Sequence, residues 1–194
     1  GLNVYDKNHN IMQNGIDING HWSSKQSAII VPDPGDEDKY YIFTTDESGY
    51  VDLPNNGLHY CVVDLSVGST GAVVTKNVKL LDKTTEQLTA VKHRNGKDYW
   101  IITHSLFGKE FYAYPLTKDG IGVAVISTVG VNYDERTSGI IKASPDGSYI
   151  VADYNLFLGT ETPGILFNFN NETGMLSDPI NLVGISEKNR RVAE

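Results

Sequence analysis

The 194-residue chain is 40% hydrophobic and 21% charged, the composition of one folded, water-facing domain, which excludes an extended disordered chain. Its formal net charge of −8 excludes a nucleic-acid surface, which needs a basic stripe to neutralise phosphates. No run of 18 apolar residues occurs, so no membrane insertion is expected.

Eleven tyrosines, with abundant Val, Ile and Thr, favour half-buried strands over helices. Residues 1–22 read as the second half of a preceding unit, with Val4 to Met12 as a strand, a polar turn and a strand. Residues 23–81 form a full unit with strands at Ser27 to Val31, Tyr40 to Thr44, Leu58 to Asp64 and Ala72 to Leu80. A single helical turn is expected over Asp82 to Gln87. Residues 82–130 repeat the pattern with Leu88 to Lys92, Tyr99 to Thr103, Phe111 to Leu116 and Ile121 to Val129. Residues 131–183 do so again with Gly139 to Ala143, Tyr149 to Ala152, Ile165 to Phe169 and Met175 to Leu182. Residues 184–194 are a tail or the start of a following unit, and Lys188 to Arg191 there read as a solvated terminal cluster.

Two glycine registers support the repeat. Gly35, Gly96 and Gly147 close the first turn of each unit, spaced by about 61 and about 51 residues. Gly71, Gly120 and Gly174 close a second turn, spaced by about 49 and about 54 residues. Tight hairpins need a residue that tolerates positive φ, so the glycines mark turns. The second strand of each unit is a continuous apolar run, as expected of a strand packed on both faces. The fold expected is all-β, made of four-stranded antiparallel sheets of the β-propeller kind and forming an incomplete ring. Closure as a small four-bladed ring, with the tail completing the first half unit, is the alternative. Cys61, within Tyr60-Cys61-Val62-Val63, reads as a buried small hydrophobe and leaves the redox compartment open.

The strings VYDKNHNIM (Val4 to Met12), SSKQSAIIVPDPG (Ser23 to Gly35), YYIFTTD (Tyr40 to Asp46), GLHYCVVDLS (Gly57 to Ser66), LTAVKHRNGKDYWIITH (Leu88 to His104), KASPDGSYIVA (Lys142 to Ala152) and LFNFNNETGMLSDPI (Leu166 to Ile180) resemble a WD-repeat-like propeller region. That region occurs in large secreted proteins of Bacteroidota, many with a gliding-motility-type C-terminal sorting domain for type IX secretion. The resemblance spans nearly the whole chain. It implies export, a cell-surface or extracellular location, and a binding or scaffolding role, with the signal outside this segment and the rest of its own chain closing the ring.

Catalytic and metal sites are not expected. No Gly-x-Ser-x-Gly elbow is present, and His9, His21, His59, His93 and His104 form no zinc-binding pair. No glycine-rich phosphate cradle opens a helix, so no nucleotide or other cofactor is expected. Asp33, Asp36, Glu37 and Asp38 offer oxygen ligands for calcium, but a solvated hairpin tip is the plainer reading. His104, Asp46 and Asp153 end the second strands of the three units, and would line one rim of a central opening as ligand-binding residues. A hydrogen-bonded strand-end set of structural role weighs against that. Trp22, Tyr50 and Tyr133 read as exposed aromatics able to stack on sugar rings. Asn171-Glu172-Thr173 is formally a glycosylation acceptor. The function expected is a non-enzymatic surface module for a protein or glycan partner, or a spacer in a longer adhesin-like chain. The rival is a propeller-type hydrolase or lactonase using the rim carboxylates Asp46 and Asp153.

Overall fold

The structure, a computed structural model, describes residues 3–48, 55–134, 137–153, 155–156 and 164–182, and among these there are strands and turns but no helix. The first sheet runs in the order β1 (Ala28–Asp33), β2 (Asp36–Thr45), β3 (Leu58–Asp64) and β4 (Ala72–Leu81). The second runs β5 (Thr84–Lys92), β6 (Tyr99–Ser105) and β7 (Gly108–Thr117), with β8 (Gly120–Ile121) and β9 (Val125–Tyr133) both paired to β7. Then follow β10 (Thr137–Ser138), β11 (Ile141–Ala143), β12 (Tyr149–Ala152), β13 (Asn155–Leu156), β14 (Ile165–Asn170) and β15 (Met175–Asn181). Strands β11, β12, β14 and β15 form the third sheet in that order, and β10 pairs with β13. All these pairings are antiparallel, and apart from β7 with β9, β12 with β14 and β10 with β13 they join strands consecutive in the chain, so the sheets run essentially as meanders.

The sheets lie face on face, and side-chain alternation explains how. In β6, Ile101 joins Val31, Tyr41, Phe43 and Val62 in the core between the first and second sheets. Its neighbours Trp100 and Ile102 point the other way and pack with Ile150, Phe167 and Phe169 of the third sheet. Strand β7 splits in the same manner, with Tyr114 and Leu116 on one side and Phe111 and Ala113 on the other. The continuous apolar run of β6 therefore reflects burial on both faces. Trp100 also donates its indole N–H to the Asn171 carbonyl at 3.1 Å, which satisfies its polar atom inside the core.

Three expectations are corrected. The turn expected over Asp82 to Gln87 does not form: β5 begins at Thr84, with a bulge before Leu88. Thr84, Thr85, Glu86 and Gln87 are all buried, and the Glu86 carboxylate and the Gln87 amide bond Lys25, Ser48 and Asp153 outside the second sheet. The single strand expected over Ile121 to Val129 is split into β8 and β9. Pro115 lies opposite the interruption and has no N–H for the ladder, while its carbonyl accepts the Gly122 N–H at 2.8 Å. Residues 3–22 do not make two strands. One bridge, Tyr5 to Ile11, closes the polar turn, and Gln13 then bridges Ala72 of β4 in parallel. This segment lays Met12 and Ile18 on Ile42, Cys61, Val63 and Val73, covering the face of the first sheet that looks away from the second. Burial raises the Cys61 thiol pKa, in line with an inert core cysteine. The tail at 184–194 lies outside the described residues.

Gly71, Gly96, Gly120, Gly147 and Gly174 take positive φ at their turns, whereas Gly35 does not. What Gly35 supplies is proximity: a Cβ there would sit 2.9 Å from the carbonyl oxygen of Lys118, in the β7–β8 turn of the next sheet. Gly35→Ala is therefore expected to cost about 1 kcal/mol and lower the Tm by about 2–4 °C. An unchanged thermal melt would show that the two turns do not touch closely in solution.

Candidate functional site

Asp46, His104 and Asp153 do lie at strand ends, but no hydrogen bond or ion pair among the described residues joins their side chains. Asp46 follows β2 and is buried. Its Oδ1 accepts the Glu47 N–H at 3.0 Å, and its Oδ2 accepts the backbone N–H and the side-chain amide of Asn56, both at 2.8 Å. The carboxylate thus organises its own loop. Asp153 follows β12, its N–H donating to Ile140 and its carbonyl accepting the Gln87 amide at 2.8 Å.

His104 is fully buried on the face of the second sheet that looks toward the third. Its ring stacks on Tyr133 with centroids 3.8 Å apart and meets the Phe111 ring edge-on at 4.5 Å. The Nδ1 atom is 2.7 Å from the Ser105 carbonyl, which can only accept, so Nδ1 carries the proton. Nε2 is then an acceptor that finds no hydrogen-bond donor among the described residues. Burial pushes the imidazole down to about 4, against a smaller raising effect of the Ser105 bond and Glu110. The ring is neutral at pH 7.

Around His104 lies a polar junction that sequence reading missed. Glu86 is buried and makes no ion pair among the described residues. Its Oε2 accepts the Lys25 N–H at 2.9 Å and its Oε1 the Ser48 N–H at 3.1 Å. Ser48 donates its hydroxyl to the Thr137 carbonyl at 2.9 Å. Gln26 accepts the N–H groups of Leu88 at 3.2 Å and Ile141 at 2.7 Å, and donates its amide to the Ile141 carbonyl at 3.0 Å. Gln87 reaches Asp153 and, at 3.4 Å, the Tyr133 hydroxyl. The signal was available: Ser23-Ser24-Lys25-Gln26 and Thr84-Thr85-Glu86-Gln87 are about 61 residues apart, the same step as Gly35 to Gly96.

Of the aromatics read as exposed, Trp22 is 78% exposed, Tyr50 lies outside the described residues, and Tyr133 is buried against His104. The correction for Tyr133 follows from its place at the end of β9, where it closes the core above Phe111. Asp33 spends Oδ1 on the Gly35 N–H, and Asp36 pairs with Lys39 at 2.7 Å, as a hairpin tip does.

At the opposite, turn-bearing end of the second and third sheets is an open groove of 1020 Å³. It runs from the end of β5 past the β11–β12 turn to the β14–β15 turn and the outward face of the third sheet. Its floor turn is rigidly made: Asp146 accepts the hydroxyls of Ser144 at 2.6 Å and Ser148 at 2.8 Å, which draw its carboxyl down to about 2. Tyr149, 44% exposed, stands on the outward face beside Asn168, its cross-strand partner. Lys92 and Lys142 are exposed at the groove and make no ion pair among the described residues. Arg94 pairs with Glu172 at 3.4 Å. An aromatic ring, amides, hydroxyls and ammonium groups surround this one open depression.

Comparison with protein-family models, with curated proteins and with solved structures found no match.

Proposed function

We propose that the chain is a non-enzymatic β-propeller module of an exported or cell-surface protein, which holds a protein or glycan partner in the groove beside Tyr149. The meander sheets are its blades, and the rest of its own chain completes the ring. The family suggested by the quoted strings is the WD-repeat-like region of secreted Bacteroidota proteins. The observation that carries the binding reading is the groove itself: polar, open, and lined from two sheets, with Lys92 and Lys142 in no ion pair among the described residues.

The hydrolase alternative draws on Asp46 and Asp153. Both oxygens of Asp46 are already committed to Glu47 and Asn56, and this favours the binding reading. The test is a binding screen on immobilised glycans and cell-surface proteins, with wild type and Tyr149→Ala compared after their Tm values are shown to agree. Retention that falls about tenfold or more in Tyr149→Ala, with ligand recovered unaltered in mass, is the expected result. Binding indifferent to Tyr149, or a ligand recovered in cleaved form, would overturn the reading.

A further inference from the structure

The outward face of the third sheet departs from the rule that the other two sheets follow. Where the first sheet meets the second, the outward positions of β2 and β3 are Tyr41, Phe43, Tyr60 and Val62. Where the second meets the third, those of β6 and β7 are Trp100, Ile102, Phe111 and Ala113. A face made to bury another sheet is predominantly apolar. On the third sheet the outward row nearest the turns is Tyr149, Asn168 and Ser177, which are direct cross-strand neighbours. All three are exposed. The next row, Lys142, Val151, Leu166 and Ile180, begins with a charge. Only the Val151, Leu166 and Ile180 part of this face suits a further sheet; the Tyr149 row suits a ligand.

Charge narrows the ligand. On a chain of formal charge −8, the groove gathers Lys92, Arg94 and Lys142. Of its two carboxylates, Glu172 is matched to Arg94, and Asp146 keeps its charge under the hydroxyls of Ser144 and Ser148, so three cations face two anions in the lining. Neither Lys92 nor Lys142 pairs with a carboxylate among the described residues. Asn168 donates its amide N–H to Asp178 at 2.9 Å, so its carbonyl oxygen is turned into a fixed acceptor. An exposed tyrosine ring offers a sugar its apolar face, Asn168 and Ser177 offer hydrogen bonds to hydroxyls, and the two lysines offer counter-charge.

Resting on the binding reading above, we infer that the groove holds an anionic oligosaccharide, with one sugar ring on Tyr149 and its carboxylate or sulfate between Lys92 and Lys142. The neutral amides and hydroxyls alone would suit any glycan; the unpaired lysines on an acidic protein select the charged ones.

The experiment is isothermal titration calorimetry of the whole chain with tetra-galacturonate, a sulfated galactan tetrasaccharide and, as the neutral control, maltotetraose. Binding of at least one anionic probe and not of maltotetraose is expected, weakening as salt is raised. The tighter of the two identifies carboxylate or sulfate as the preferred anion. Tyr149→Ala and the double variant Lys92→Ala/Lys142→Ala should each weaken it about tenfold, while Tyr149→Phe keeps most of the affinity. Equal binding of maltotetraose, or binding unchanged in the lysine variant but lost in Tyr149→Ala, would overturn the anionic assignment and leave the groove a binding site. Binding of no probe overturns it as well. Affinity for an anionic probe untouched by every variant would remove both the assignment and the groove.

Discussion

Acidification from pH 7 to pH 4.5 is expected to lower the Tm of the wild-type chain by about 6–10 °C, and His104→Phe is expected to lose most of that drop. The folded state holds His104 neutral, its pKa pushed by burial from the ordinary 6.5 down to about 4. Protonation therefore favours the unfolded chain. The stabilisation is complete above pH 6.5, declines as pH falls, and levels off below about pH 4. A shift of that size corresponds to roughly 3 kcal/mol across the window. Phenylalanine preserves the stack on Tyr133 and the edge contact with Phe111 while removing the titrating nitrogen and the bond to Ser105. His59, also lowered by burial, acts in the same direction and remains in the variant. Asp36, Asp146 and Asp178 have lowered pKa values and lose their contribution only below the ordinary carboxylate range. Melting curves of both proteins at pH 7.0 and 4.5 decide the matter: equal drops would mean that His104 is already protonated or solvated in the folded chain.

Glu86→Ala is expected to cost about 3 kcal/mol, and Glu86→Gln roughly half as much. Alanine leaves the N–H groups of Lys25 and Ser48 without an acceptor inside the junction. Glutamine keeps one acceptor oxygen and turns an NH2 group against the other N–H. The order wild type, Gln, Ala should appear as falling midpoints in urea at an unchanged slope. Because Glu86 has no cationic partner among the described residues, the outcome also measures how the N–H groups of Lys25 and Ser48 support a buried carboxylate. Glutamine equal to or better than wild type would show that the charge costs more to desolvate than its two bonds return.

Much of the strand pattern was legible because hairpins signal themselves locally. Positive-φ glycines, polar tips and flanking apolar runs located β3 and β12 to the residue and most others within a few. What escaped was whatever depends on a distant partner. Thr84 to Gln87 look like a turn because four polar residues in succession rarely enter a strand; the donors to Glu86 come from Lys25 and Ser48, and the acceptor for the Gln87 amide from Asp153, all distant in sequence. Tyr133 looks exposed amid Gly130, Asn132 and Asp134, yet it is buried, with the ring of His104, far back in the chain, stacked on it. The split of β8 from β9 was foretold by Pro115, whose missing N–H would be felt by the neighbouring strand. The groove was invisible for another reason. Its residues come from three turns, each polar in its own right, and the departure of Asn168 and Lys142 from an apolar rule emerges only once the faces of all three sheets can be compared.

The Gln26 side chain also changes how the assembly should come apart. Sheets that touch only their neighbours behave as a one-dimensional array, in which an end member can peel away while the others stay ordered. Gln26 stands at the entrance to the first sheet, yet one amide group binds the innermost strands of both the second and the third. Detaching the third sheet therefore disturbs the first, although the second lies between them. A three-way link of this kind converts an array into a single cooperative unit, in which slow-exchanging amides are shared across all three sheets instead of being graded from one end to the other.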